Sequence, residues 1–227
     1  MPFSTLDLVA LAWFILAWTG YAIYVEYIPK KRLSLNALMN TYREVWMRRM
    51  LDREARMVDM QVMAALQNGT AFFASTSLFA IGGALTVLRS TDDVLRVIAT
   101  LPVGIETSRT LWEVKSIGIA IIFVYAFFKF SWSYRLFNYV SILLGAMPLH
   151  HEKDTPAADT HVKRTTQLFA AAGRHFNHGQ RAFFFALGFL GWFVSPHVFI
   201  ATTAAVVFVL WFRQFGSDAR RAMDIAG

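Results

Sequence analysis

The stretch that decides the fold is residues 8–28, which read LVALAWFILAWTGYAIYVEYI. It carries one charged residue, Glu26, and its length of about 20 residues matches the roughly 30 Å of hydrocarbon in a bilayer. A basic segment, Pro29-Lys30-Lys31-Arg32, follows it directly. Residues 1–7 contain one acid and no Lys or Arg, unlike the basic leader of a secretory signal peptide. We therefore expect a transmembrane helix that stays in place as an anchor.

The composition of the whole chain agrees with a lipid environment. Of its 227 residues, 56% are hydrophobic and 16% are charged, whereas a soluble domain is about 25% charged. The net charge of +7 indicates basic loops beside anionic headgroups rather than a nucleic-acid site. The sequence has no Cys, which excludes disulfides, thiolate catalysis and thiolate metal sites.

The predicted fold class is all-α, a polytopic transmembrane helical bundle with four to five crossings. Residues 1–227 form one membrane domain, with spans at about 8–28, 70–88, 114–134, 182–195 and 197–213. Ser195-Pro196 divides the last apolar region, and two short crossings there return Arg213 to the same side as the other basic loops. A four-crossing arrangement with one tilted or kinked helix remains an alternative. The basic loops predict an N-terminus outside and a C-terminus in the cytoplasm; the expected location is a bacterial inner membrane.

Two long polar segments, residues 34–67 and 135–180, are predicted to be cytoplasmic helical extensions. Segment 34–67 has apolar residues at helical spacing on one face. It either lies on the bilayer surface or packs on its own protein as an extension of the second span; the second interpretation is favoured because no breaker separates it from Asn68. The third helix is expected to continue to Met147, followed by a flexible loop at 150–156.

Polar residues close to the membrane are the first candidates for a functional site, because their desolvation is costly. They are Arg135 and Asn138 on the third helix, Arg181 at the start of the fourth, and the more ordinary Lys129 and Glu26. The alternative is that these side chains reach to the interface and carry no function. A buried Arg–Asn cluster would bind an anion, a lipid headgroup or backbone carbonyls.

Histidines supply weak candidates for a metal site. Adjacent His150 and His151 lie in a polar loop near further carboxylates, and His175 and His178 are three residues apart on a predicted helix. Zinc accepts such ligands, yet adjacent histidines in a solvated loop are a weak signal, so we predict no metal site and no cofactor. A helix is expected to resume after the loop at Asp159 or Thr160, either of which can cap it.

Three sequence blocks resemble the domain-of-unknown-function family 599 of bacterial and plant integral membrane proteins. They are residues 42–46 (YREVW) with 50–54 and 66–68, residues 133–141 (SYRLFNYVS), and residues 177–185 (NHGQRAFFF) with Trp192 and Ser195-Pro196. The resemblance implies a helical membrane protein and carries no established activity. It points to Arg43, Trp46, Asn68, Arg135, Asn138, Asn177, Gly179 and Arg181 as positions of the family pattern.

Three functions are compatible with this pattern. The first is a homo-oligomeric channel or transporter-like protein, in which the basic and amide residues bind an anionic ligand or line a cytoplasmic vestibule. The second is a non-conducting structural or accessory subunit. The third, a membrane enzyme acting on lipid, is disfavoured because no base is placed to activate a nucleophile at 75–77. The expected partners are anionic lipid headgroups and further copies of the chain.

Overall fold

A computed structural model describes residues 3–27, 34–100 and 108–223, and in these residues all regular secondary structure is helical. The helices are α1 (Thr5–Tyr27), α2 (Leu35–Met50), α3 (Met57–Arg89), α4 (Thr91–Ala99), α5 (Arg109–Gly145), α6 (Pro156–Val194), α7 (Pro196–Phe215) and α8 (Asp218–Ala222). One predicted feature lies outside the described residues: the basic segment 29–32 that follows α1.

Five of the helices form the bundle. Asp7 contacts Trp192 and Glu26 contacts Arg181, so α1 and α6 are antiparallel. Ring contacts pair α1 with α7 in the same direction, since Phe14 meets Phe199 and Tyr24 meets Phe215. We call the end that carries Glu26 the basic end and the end that carries Asp7 the far end.

Four helices of this bundle are long and apolar enough to cross a membrane: α1, α3, α5 and the segment Pro196–Ala222. The second half of α6, residues 182–194, is a fifth apolar segment. It lies beside α1 along the length from Glu26 to Asp7. The first half of α6, with the second half of α5, extends past the basic end and packs there against α2 and α3. The fold is thus a helical membrane bundle with a polar helical extension at one end.

Aromatic rings fill the middle of the bundle. Phe14 of α1 meets Phe185, Phe189 and Phe199 at centroid distances of 5.1–5.6 Å. Trp192 stacks on Phe199 at 5.2 Å. Such contacts add to the apolar area that each ring buries, and they close the space between α1, α6 and α7 toward the far end.

The structure corrects the prediction of a continuous helix over 34–67. The chain turns at residues 51–56, between α2 and α3, without Gly or Pro. Tertiary contacts hold the turn: the buried carboxylate of Asp59 accepts a hydrogen bond from Trp46 Nε1 at 2.6 Å, and Arg56 donates to the carbonyls of Met147 and Pro148. Helix α2 consequently folds back on α6, where Trp46 meets Phe169.

The polar segment after α5 is also more ordered than expected. Residues 150–152 form one 3₁₀ turn, and the Glu152 carboxylate accepts a hydrogen bond from the Leu149 backbone N–H at 3.0 Å. Thr155 caps α6 and Pro156 occupies its first turn, which is the position where Pro is best tolerated. The helix therefore begins before Asp159, whose carboxylate instead pairs with Arg48 at 2.8 Å.

Helices α6 and α7 form a tight antiparallel hairpin at Ser195, where the sequence predicted that the chain turns back. The Ser195 hydroxyl accepts a hydrogen bond from Val198 N–H and caps α7. Gly188 and Gly191 allow the close approach, since a Cβ on Gly191 would lie 2.4 Å from Thr202 Oγ1. Thr202 uses this proximity to donate to the Gly188 carbonyl at 2.7 Å.

Candidate functional site: a basic cavity between α1, α2, α6 and α7

A cavity of about 490 Å³ opens at the basic end, where α1, α2, α6 and α7 meet. We call it the basic cavity. Its polar wall is formed by Glu26 of α1, Asn36, Asn40 and Arg43 of α2, Arg174, Asn177, His178, Gln180 and Arg181 of α6, and Arg213 and Gln214 of α7. Four guanidinium groups thus face a space whose described lining holds a single carboxylate.

Glu26 is the centre of the polar network in this cavity. Its Oε1 accepts hydrogen bonds from Arg181 Nη2 at 2.8 Å and from His178 Nε2 at 2.6 Å. These bonds join the last turn of α1 to α6. One carboxylate cannot neutralise four guanidinium groups, so the cavity keeps an excess of positive charge.

Arg181 is mostly buried and only partly satisfied. Its side chain is 11% exposed, and its Nη1 is buried without a hydrogen-bond partner among the described residues. Gln214 Oε1 is buried without a partner in the same way. A buried donor or acceptor left unpaired costs about 1–3 kcal/mol, and each such group in a native structure calls for a partner, such as a ligand or water.

Arg43 is held at the cavity wall by its surroundings on α6. Its guanidinium lies 5.0 Å from the centre of the Phe169 ring. Gly173 makes room for it, because a Cβ there would come within 2.8 Å of Arg43 Nη2. Burial lowers the pKa of Arg43 below its ordinary value, and the neighbouring positive charge of Arg174 adds to the shift. An anion near both groups would remove that repulsion.

Arg213 completes the cluster from α7. Its guanidinium lies over the ring of Phe184, 4.9 Å from the centroid, an arrangement that fixes a cation against an aromatic face. Arg213 and Arg181 therefore approach the cavity from neighbouring helices, α7 and α6, in defined orientations.

The family model DUF599, described as a protein of unknown function, matches residues 9–219 of the chain. The chain belongs to the DUF599 family. The resemblance seen in the sequence is thereby confirmed. The match spans every residue that lines the basic cavity, from Tyr21 to Gln214. Comparison with curated proteins and with solved structures finds no match.

The structure brings together three of the residues to which the DUF599 resemblance pointed. Arg43, Asn177 and Arg181 line the basic cavity. They come from two segments more than 130 positions apart in the sequence, and α2 meets α6 only because the chain turns at 51–56.

Four further residues of the family pattern, Trp46, Asn68, Arg135 and Asn138, lie elsewhere. Trp46 binds the buried Asp59, and Asn138 accepts a hydrogen bond from Gln67 at 2.8 Å, which ties α5 to α3. Arg135 is exposed and donates to the Tyr139 hydroxyl, and Asn68 is exposed on α3. These residues connect helices or face outward, and none of them lines the cavity.

The histidines are placed in separate environments. His150 and His151 are exposed on the 3₁₀ turn, whereas His178 binds Glu26. The rings of His175 and His178 are 6.1 Å apart. Within residues 3–27, 34–100 and 108–223, no group of three metal-ligating side chains comes together.

Sequence reasoning missed six polar cavity residues of this DUF599 protein: Asn36, Asn40, Arg174, Gln180, Arg213 and Gln214. A signal for some of them was present. Asn36, Asn40 and Arg43 recur at four and three residues, as do Arg174, Asn177 and Arg181, so each set lies on one helix face. The sequence contains no signal that predicts contact between these polar faces of α2 and α6.

Proposed function

We propose that this protein binds a phosphate-type anion in the basic cavity. The observation that carries the proposal is the set of four arginines around a single carboxylate, with a buried, unpartnered Nη1 on Arg181. Guanidinium groups match phosphate in a planar, two-pronged geometry. The amides of Asn177 and Gln180 add neutral donors and acceptors that fix orientation.

The cavity volume supports a ligand larger than a bare ion. Small-molecule sites commonly measure about 300–1,000 Å³, and this cavity of about 490 Å³ lies inside that range. Inorganic phosphate would occupy a fraction of it. A phosphate ester, whether a soluble metabolite or a lipid headgroup, uses the remaining space.

We further propose that the protein is transporter-like, with the basic end in the cytoplasm of a bacterial inner membrane. The positive-inside rule supports this orientation, because the arginines of α2, α6 and α7 gather at the basic end. The aromatic layer around Phe14 and Phe199 favours a site open to one side over a continuous pore. Homo-oligomerisation is part of the proposal: α3 is largely exposed, and its Gly82 and Gly83 have open space around them, which suits close packing of helices in lipid.

Calorimetric titration of the detergent-purified protein with inorganic phosphate tests the binding step. Arg181→Gln and Arg213→Gln are expected to weaken binding at least about tenfold each, since a charge-assisted hydrogen bond contributes about 1.5–3 kcal/mol. Arg135→Gln is the matched control, because that arginine is exposed on α5 outside the cavity. Equal phosphate affinity in all four proteins would overturn the proposal.

Transport and assembly need their own measurements. Phosphate flux into liposomes that contain the protein should depend on Arg181 and not on Arg135. The protein mass of the solubilised particle, with the bound detergent subtracted, should exceed that of one 25.8 kDa chain. A C-terminal reporter that is active only in the periplasm should remain silent.

A non-conducting accessory subunit is the second candidate. The aromatic layer favours it, because Phe14 and Trp192 pack on Phe199 and fill the space between α1, α6 and α7 toward the far end. Phosphate binding without liposome flux would select this function over transport.

A further inference from the structure

A second depression lies on the outer face of the bundle, between α1 and α7. We call it the α1–α7 groove; its volume is about 560 Å³. Small residues, among them Gly20 and Ala204, form its floor, and the half-exposed rings of Trp13, Phe208 and Trp211 stand at its sides. It lies on apolar segments of two candidate membrane spans, so hydrocarbon is the chemistry that it can accommodate.

The groove and the basic cavity adjoin each other. Tyr21 lines both, and the same two helices supply the walls: Tyr24 and Trp211 face the groove, whereas Glu26 and Arg213 line the cavity. From Tyr21 to Trp13 the groove follows α1 for about 12 Å, at about 1.5 Å per residue. An apolar surface and a cluster of cations therefore follow one another along the same pair of helices.

We infer that the ligand of the basic cavity is an anionic phospholipid of the surrounding bilayer, with its phosphate among the arginines and one acyl chain in the α1–α7 groove. The inference rests on the proposed anion binding. Charge complementarity selects the headgroup, because the cavity has four guanidinium groups and one carboxylate. The adjoining groove favours a chain-bearing ligand over a soluble phosphate, since a soluble ligand would leave that apolar surface unoccupied.

Native mass spectrometry of the detergent-purified protein separates these ligands. We expect dioleoyl phosphatidylglycerol to be retained at least about tenfold more tightly than dihexanoyl phosphatidylglycerol, because each additional buried methylene favours binding. Dioleoyl phosphatidylcholine, which has the same chains and no net charge, should be retained as weakly as the short-chain lipid.

Gly20→Leu tests the groove without disturbing the cavity. A Cβ on Gly20 meets nothing within 4 Å, so a larger side chain at this position can extend into the groove that Gly20 lines. The variant should lose the preference for the long-chain lipid and keep the phosphate affinity of the wild type. Gly69→Leu is the matched control, because Gly69 is equally open on α3; Ala204→Leu fills the groove from α7 if Gly20→Leu is unstable.

The outcomes distinguish the two proposals. If Gly20→Leu and Ala204→Leu retain the long-chain lipid like the wild type, or if chain length has no effect, the lipid assignment is wrong. Phosphate binding that still depends on Arg181 would then leave the proposed function intact. If phosphate binding is absent or does not depend on Arg181, both the proposed anion binding and the lipid assignment are wrong.

Discussion

Trp192 donates its indole N–H to the carboxylate of Asp7 across 2.7 Å, which joins the end of α6 to the start of α1. Asp7 is 5% exposed. Its other oxygen accepts hydrogen bonds from the backbone N–H and the hydroxyl of Ser4, whose Oγ in turn accepts the Asp7 N–H. This reciprocal cap fixes the first turn of α1. The buried Lys115 of α5 lies over the Trp192 ring, 5.4 Å from its centroid.

Replacing Asp7 should therefore destabilise the far end of the bundle. Asp7→Ala leaves Trp192 Nε1 without an acceptor and Lys115 without its countercharge. A buried donor that loses its acceptor costs about 1–3 kcal/mol, so the melting temperature in detergent should fall clearly.

A second pair of variants separates charge from hydrogen bonding at this site. Asp7→Asn keeps an acceptor for Trp192, and adding Lys115→Met removes the charge left alone. The double variant should melt at a higher temperature than Asp7→Asn by itself. If Lys115→Met gives no recovery, the electrostatic part of this account is incorrect.

Gly179 is predicted to be required for the contact between α5 and α6. A methyl group at this position would lie 2.7 Å from the ring of Phe130, which is fully buried and stacked on Phe73. Overpacking of this kind costs about 1–3 kcal/mol. Gly179→Ala should lower the melting temperature, whereas Gly69→Ala should be neutral or stabilising, because a Cβ on Gly69 meets nothing within 4 Å. Equal effects of the two changes would refute the packing argument.

The helices were predictable where one local signal dominated. The apolar run from Val114 onward continues into aromatic residues, and α5 extends to Gly145. Ser195-Pro196 combines a cap with a residue that cannot extend a helix, and the chain turns there. The turn at 51–56 was missed because it has no such local signal. Distant partners create it, namely the contacts of Asp59 and Arg56.

The cavity was predictable only in part, for the same reason. Polar residues within apolar helix ends identified Arg181, and the family resemblance added Arg43 and Asn177. Arg174 and Arg213 are ordinary surface arginines by sequence. They line a cavity because α2 folds back on α6 and α7 returns along α1, which are relationships between helices that no single segment specifies.

Arg56 is predicted to hold the connection after α5. Its Nη1 and Nη2 donate to the carbonyls of Met147 and Pro148 at 2.9 and 2.6 Å, and hydrogen bonds to charged groups contribute about 1.5–3 kcal/mol. Arg56→Ala should lower the melting temperature and increase protease cleavage within residues 146–155. The exposed Arg49 provides the control: if Arg49→Ala is as damaging as Arg56→Ala, these two hydrogen bonds are not what stabilises the connection.

Acidification should destabilise the basic end through its histidines. Burial and the positive charges of Arg181 and Lys129 lower the pKa of His178, and they outweigh the opposing effect of Glu26; the pKa of His175 is lowered in the same direction. The unfolded chain then binds more protons than the folded one just below the ordinary value of 6.5, so stability is lost as the pH falls through this region. Melting temperatures should decrease from pH 7.5 to 5.5. The double variant His175→Gln/His178→Gln, in which glutamine can still donate to Glu26, should show a smaller decrease; an unchanged pH dependence would assign the effect to other groups.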